Sequence, residues 1–116
     1  MGANPSEQEI QKSILDWLRM NGVFCWKQFG GGYFDQRRQR YIPTGVRGVP
    51  DILGILPGGV FLGCEVKRPG QKPTDDQLAF LRAITDAGGI GTWVTGIEEL
   101  ERDLEPYLKS IQPRMV

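Results

Sequence analysis

The sequence predicts an α/β chain, a mixed sheet flanked by helices in the order α-β-β-β-α-β-α. Three observations predict it. Residues 48–67, GVPDILGILPGGVFLGCEVK, hold two apolar runs on either side of Pro57-Gly58-Gly59, the composition of an antiparallel hairpin. Segments beginning at Ser6 and Thr74 open with capping-box spacing and continue with helical apolar periodicity. A fourth strand follows the second helix, and a strand-helix-strand unit requires parallel strands joined by a right-handed crossover.

The first helix covers residues 6–20. Ser6 and Glu9 have the capping-box spacing, with Pro5 just outside. At about 100° per residue, Ile10, Ile14, Trp17 and Leu18 gather on one side. Glu7 falls within that apolar side, Gln11 lies one turn further along, and Glu9 falls opposite. Glu9 is therefore expected to close the cap and Glu7 to point inward, where it needs a partner. The alternative for Glu7 is a frayed first turn in water. Asn21-Gly22 ends the helix. Residues 23–29, VFCWKQF, read as a strand, which Gly30-Gly31-Gly32 breaks. Residues 33–47 show no clean period and are read as a long loop, of the kind that is usually functional or disordered. The hairpin follows, then a second loop over residues 68–73. Thr74 starts the second helix, which ends at Gly88-Gly89. Gln77 is spaced to cap it but shares a face with Leu81 and Ile84, so it serves either as a cap or as a side chain turned toward the hairpin. Residues 90–95, IGTWVT, form the fourth strand. Thr95 and Glu98 are expected to cap a last helix with Ile97, Leu100, Leu104 and Leu108 on its inner face, which Pro106 should kink or end.

Length and composition bound the function. The 116 residues suit one domain, residues 1–116, with 40% hydrophobic and 24% charged residues, as in globular chains. No apolar run approaches the roughly 18 residues of a membrane span, and the N-terminus lacks a secretory pattern. Cys25 and Cys64 lack metal-site spacing and are read as reduced core residues. The chain has no histidine, which excludes His general bases and His-ligated zinc within it. The formal net charge is zero, against a strong non-specific polyanion binder, yet the charge is uneven. Arg37, Arg38, Arg40 and Arg47 cluster among Tyr33, Phe34 and Tyr41, and Arg68 and Lys72 follow the hairpin, while Glu98, Glu99, Glu101, Asp103 and Glu105 crowd the C-terminal part. Interleaved arginine and aromatic residues suit phosphate contact and base stacking. The alternative is a solvated face.

The hairpin carries an awkward set of charges. Glu65 and Lys67 are two apart and so share a face of the strand, with Val66 on the other. Asp51 enters the first strand. Burying an unpaired charge is costly, and two carboxylates repel unless a cation lies between them. An Asp51–Lys67–Glu65 ion-pair cluster is the plainer reading, but such clusters rarely stabilise, and two acids against one lysine leave a charge over.

Pro50-Asp51 and Glu65-Val66-Lys67, on the second and third strands, resemble the signature of the PD-(D/E)xK, or restriction-endonuclease-like, superfamily. Gly48-Val49-Pro50-Asp51, Glu65-Val66-Lys67, the later Gln77 and the opening Glu7-x-x-Ile10-Gln11 resemble its VRR-NUC family, over nearly the whole chain from Glu7 to about Thr95. The resemblance implies a restriction-endonuclease-like αβββαβ core with an extra C-terminal helix, and metal-dependent hydrolysis of DNA phosphodiesters leaving 5′-phosphate ends. It implies that Asp51, Glu65 and the Val66 carbonyl hold Mg²⁺ or Mn²⁺, joined by Glu7 directly or through water. Lys67 is then expected to orient or deprotonate the attacking water and to neutralise the scissile phosphate. Gln77 and Gln11 are expected to hold water, phosphate or the metal ligands.

The same resemblance implies a structure-selective DNA endonuclease, with four-way (Holliday) junctions as the expected substrate. Two symmetric cuts require a C2 homodimer. Stand-alone members of this size look like phage and bacterial enzymes, so the expected setting is the cytoplasm of a bacterial or phage-infected cell, with no membrane partner. Arg37, Arg38, Arg40, Arg47, Arg68 and Lys72 are the expected DNA contacts. The alternatives are a flap, general or restriction-like endonuclease and, outside enzymes, a non-catalytic nucleic-acid-binding domain that uses the basic loop.

Overall fold

The computed structural model describes residues 4–29, 32–43 and 45–108. The elements run α1 (Glu7–Met20), β1 (Phe24–Lys27), β2 (Gly32–Asp35), β3 (Arg40–Pro43), β4 (Ile52–Leu56), β5 (Val60–Val66), α2 (Asp75–Asp86), β6 (Ile90–Val94) and α3 (Ile97–Leu108). Four strands form the main sheet in the order β1-β4-β5-β6. β1–β4 and β4–β5 are antiparallel, and β5–β6, joined through α2, is parallel. The expected mixed sheet is therefore present, with Gly58 and Gly59 at positive φ in the turn between β4 and β5.

Side-chain alternation divides the helices between the two faces of the sheet. Cys25, Ile52, Leu62, Cys64, Val66 and Val94 point to one face, where Ile10, Ile14 and Leu18 of α1 and Leu100 and Leu104 of α3 complete a buried cluster. On the other face α2 packs so closely on β5 and β6 that a side chain at Gly63 would meet Ile84 and one at Gly91 would meet the Leu81 backbone. Both cysteines are buried and free, and burial raises both thiols, which keeps them inert.

The ends of α1 and α2 follow the sequence. Ser6 and Glu9 form the α1 capping box, and Thr74 and Gln77 form that of α2. The last helix differs. Thr95 directs both its backbone N–H and its hydroxyl to the Glu99 carboxylate, not to Glu98. The helix begins at Ile97, one residue later than a Thr95 cap needs, so Glu99 and not Glu98 is its third residue. Pro106 lies inside α3, which continues to Leu108, so it does not end the helix.

The larger correction concerns residues 33–47. Instead of a loop they contain a two-stranded antiparallel ribbon, β2–β3, which forms a sheet of its own. The Asp35 carboxylate accepts hydrogen bonds from the backbone N–H groups of Arg37 (2.9 Å) and Arg38 (3.3 Å), and Gln39 takes φ 53° to close the turn. The ribbon lacks the polar–apolar alternation that marks a strand because neither of its faces meets the core: Tyr33, Phe34 and Tyr41 are all exposed. Of the break expected at Gly30-Gly31-Gly32, the first two residues lie outside the described residues and Gly32 starts β2.

Candidate active site

Asp51 and Glu65 meet at one end of the main sheet. Ile52 pairs with Cys64, so the register carried back one residue sets Asp51, just before β4, opposite Glu65 on β5. Two bonds hold Asp51 there. Its backbone carbonyl accepts from Gln28 N–H at 2.7 Å, and its Oδ2 accepts from Val66 N–H at 2.9 Å. Like charges directly opposite on a ladder repel, and here one of them is sealed in. Glu65 is 1% exposed, and its Oε2 is buried without a hydrogen-bond partner.

The Glu65 carboxyl is pushed up to about 9 from an ordinary 4.5. Burial is the largest cause. The neighbouring Asp51 adds its hydrogen bond and its charge, Glu7 adds a smaller repulsion, and Lys67 pulls the other way. Glu7 thus stands close enough on α1 to be felt by Glu65. It is half-buried, whereas Glu9 is exposed and occupied by the cap, where its Oε1 accepts from Ser6 N–H. Lys67 leaves the end of β5 half-buried, its N–H donating to Val94 O at 3.0 Å. It forms no ion pair with Asp51 or Glu65, so the plain ion-pair cluster is not what the fold builds.

A cleft of about 630 Å³ opens beside Asp51, lined among others by Gln28, Tyr41, Pro43, Arg47, Asp76 and Gln77. Gly48 shapes it. Its φ is +79°, and a side chain there would run into the Asp76 carbonyl and Gln77 backbone nitrogen. The chain before Asp51 can therefore lie directly on the first turn of α2. Gln77 reaches the cleft, but its Oε1 accepts from Thr74 N–H at 2.9 Å, so that oxygen belongs to the cap. Gln11 is 5% exposed with an unpartnered Oε1, and borders a groove that Lys12, Arg19 and Lys27 also line.

Of the six basic residues singled out, Arg47 lines the cleft. Arg37 and Arg38 lie in the turn of the ribbon, Arg40 starts β3, and Arg68 and Lys72 are exposed in the loop after β5. Gln28 escaped notice in the sequence. A lone glutamine after an aromatic strand carries no signal, and only the β1–β4 register brings its N–H to Asp51.

The comparisons with known proteins agree with this fold. No family model matches the chain. A solved structure described as a VRR_NUC domain superposes with a TM-score of 0.63 at 26% identity, over 87% of this chain and 96% of that one. The chain is similar to that VRR-NUC domain in both fold and sequence. A second solved VRR_NUC domain protein shares the fold at a TM-score of 0.60 and 19% identity, over 92% and 91% of the two chains. A curated relative, "Putative nuclease p44" of Acyrthosiphon pisum secondary endosymbiont phage 1, is 35% identical over 72 residues. That match spans 62% of this chain and 63% of the relative. The restriction-endonuclease-like order expected of a VRR-NUC domain is thus present, with the β2–β3 ribbon inserted between its first two sheet strands.

Proposed function

We propose that this VRR-NUC domain is a metal-dependent DNA nuclease that hydrolyses phosphodiester bonds at branched structures, four-way junctions foremost. The observation that carries the reading is the Glu65 carboxyl, buried, unpartnered at Oε2 and set against Asp51. An acid held this way is either protonated or neutralised by a cation. The donors fit Mg²⁺ or Mn²⁺: hard carboxylate oxygens from Asp51 and Glu65, with the Val66 carbonyl. Among the described residues, no three His, Cys, Asp or Glu side chains form a cage by themselves, so Glu7 of α1 would act through a bound water and further water would complete the set. When bound, the metal supplies charge neutralisation and a water that ionises near neutral pH.

The chain's own residues do the rest. Val66 N–H fixes one Asp51 oxygen, which aims the other. Lys67, in no ion pair among the described residues, orients the attacking water and neutralises the scissile phosphate. The water oxygen bonds to phosphorus, the bond to the 3′ oxygen breaks, and that oxygen takes a proton, leaving 5′-phosphate and 3′-hydroxyl ends. Gln77, its oxygen tied into the cap, presents its amide toward the same cleft as a hydrogen-bond donor. The arginines of the ribbon and of the cleft, with Arg68 and Lys72, meet the DNA backbone. Cutting a junction symmetrically requires two copies of the chain.

Labelled four-way junction, flap and plain duplex, incubated side by side with Mg²⁺ or Mn²⁺, test the reading. Cleavage is expected to need the metal, to favour the junction, and to fall about 10²- to 10⁴-fold in Asp51→Asn and Lys67→Ala with DNA binding retained. Full activity of either variant removes the site assignment. A scattering mass of one chain on the junction removes junction resolution and leaves the flap or general endonuclease.

A further inference from the structure

The two faces of the β2–β3 ribbon are chemically different. Phe34 pairs with Tyr41 and Gly32 with Pro43 on one face; Tyr33 pairs with Ile42 and Asp35 with Arg40 on the other. The first face turns toward the chemistry: Tyr41 and Pro43 line the cleft that contains Asp51. Tyr41 lies against Gly32, its ring occupying the space a side chain at that position would take. Even so, Tyr41 and Phe34 are each 57% exposed. The cleft therefore has an aromatic ring, Tyr41, in its wall, and among the described residues no other ring stacks on it.

The opposite wall is polar and carries no cation. Thr74, Asp76 and Gln77 line it, and the Asp76 carboxylate accepts hydrogen bonds while repelling phosphate. Arg37 and Arg38 lie in the turn, about 10 Å further along the ribbon at roughly 3.3 Å per residue. Positive charge for a backbone thus sits at the tip and at Arg47, while the space between the walls suits a π face with N–H groups at its edge. A base inside continuous duplex is stacked on both sides and offers no free face, whereas an unpaired base does.

We propose that Tyr41 stacks an unpaired base beside the phosphate held at Asp51, and that this contact selects DNA with unpaired or splayed nucleotides over continuous duplex. The place of the phosphate rests on the nuclease reading above. Gly32 keeps the ring in position, since a side chain there would displace it.

Binding measured in the Asp51→Asn chain, which does not cut, tests this. The probes are a branched DNA with 2-aminopurine at an unpaired position next to the branch, and a continuous duplex with 2-aminopurine paired. The branched probe is expected to lose fluorescence on binding. Adding Tyr41→Ala should abolish that quenching and lower the ratio of branched to duplex affinity about 5- to 100-fold, the range of one base–aromatic stack. Tyr41→Phe should keep both, and Gly32→Ala should reduce the quenching with Tyr41 still present. Equal weakening on both DNAs, a Tyr41→Phe chain that behaves like Tyr41→Ala, or no quenching at all overturns the proposal. Quenching in the Asp51→Asn chain together with no cleavage of any substrate by the unaltered chain overturns the nuclease reading alone.

Discussion

The carboxylate end of the main sheet and the β2–β3 ribbon are built on opposite principles. Glu65 is 1% exposed on a strand with neighbours on both sides, reached by α1 across one face, with α2 against the other. Tyr41 is 57% exposed on a two-stranded sheet that packs chiefly on itself. The proposed cation needs ligands on an element locked by packing. One fold thus separates an enclosed carboxyl from an open aromatic ring, and Asp51 and Tyr41 both line the cleft.

Three sets of substitutions would break or sharpen that contrast. One large effect is expected from packing. Ile14→Ala, at a fully buried position under the sheet, should cost about 2–5 kcal/mol in urea denaturation, whereas Tyr33→Ala on the ribbon should stay within about 0.5 kcal/mol. Comparable losses at both positions would mean that the ribbon belongs to the cooperative core.

A second effect follows from the raised Glu65 carboxyl. With chelator present, the folded chain holds a proton at Glu65 up to about pH 9, while the unfolded chain releases it near 4.5. The stability from this group is therefore complete below about 4.5 and is lost as pH rises toward about 9, at a limiting slope of about 1.4 kcal/mol per pH unit. Glu65→Gln should flatten that slope, and Mg²⁺ should offset the loss in the unaltered chain but not in the variant. A slope that Glu65→Gln leaves untouched would show that the carboxyl is not buried as described.

The smallest and most discriminating contrast lies within one turn of α1. Glu9→Gln should cost about 1 kcal/mol of stability or less, as loss of a cap interaction, and leave cleavage intact. Glu7→Gln should lower cleavage with little change in stability. The reverse pattern would place the inward-facing acid at Glu9 and contradict the helix phase.

Much of this was legible in the residues. The two capping boxes, the Pro57-Gly58-Gly59 turn and the apolar period of α1 are local signals, carried by neighbours within four residues, so they survive without knowledge of the fold. The separation of Glu7 from Glu9 follows from the same helical geometry. The ribbon was not legible, because a strand is read from alternation imposed by a core, and β2 and β3 face none. The Glu99 bond to Thr95 was missed by one residue because capping-box spacing counts from an assumed first turn, and the helix starts later.

What the sequence determined by itself is therefore the three helices, the four strands of the main sheet and the short motif that sets Asp51, Glu65 and Lys67 on adjacent strands, since propensity, period and turn chemistry act over a few residues. Tertiary structure decided the rest. It brought Glu7 within the electrostatic reach of Glu65, tied the Gln77 oxygen into a cap, and turned Tyr41 toward the cleft. Each of these depends on strand register and on which helix covers which face, and those are settled only when distant segments compete to bury the same surface.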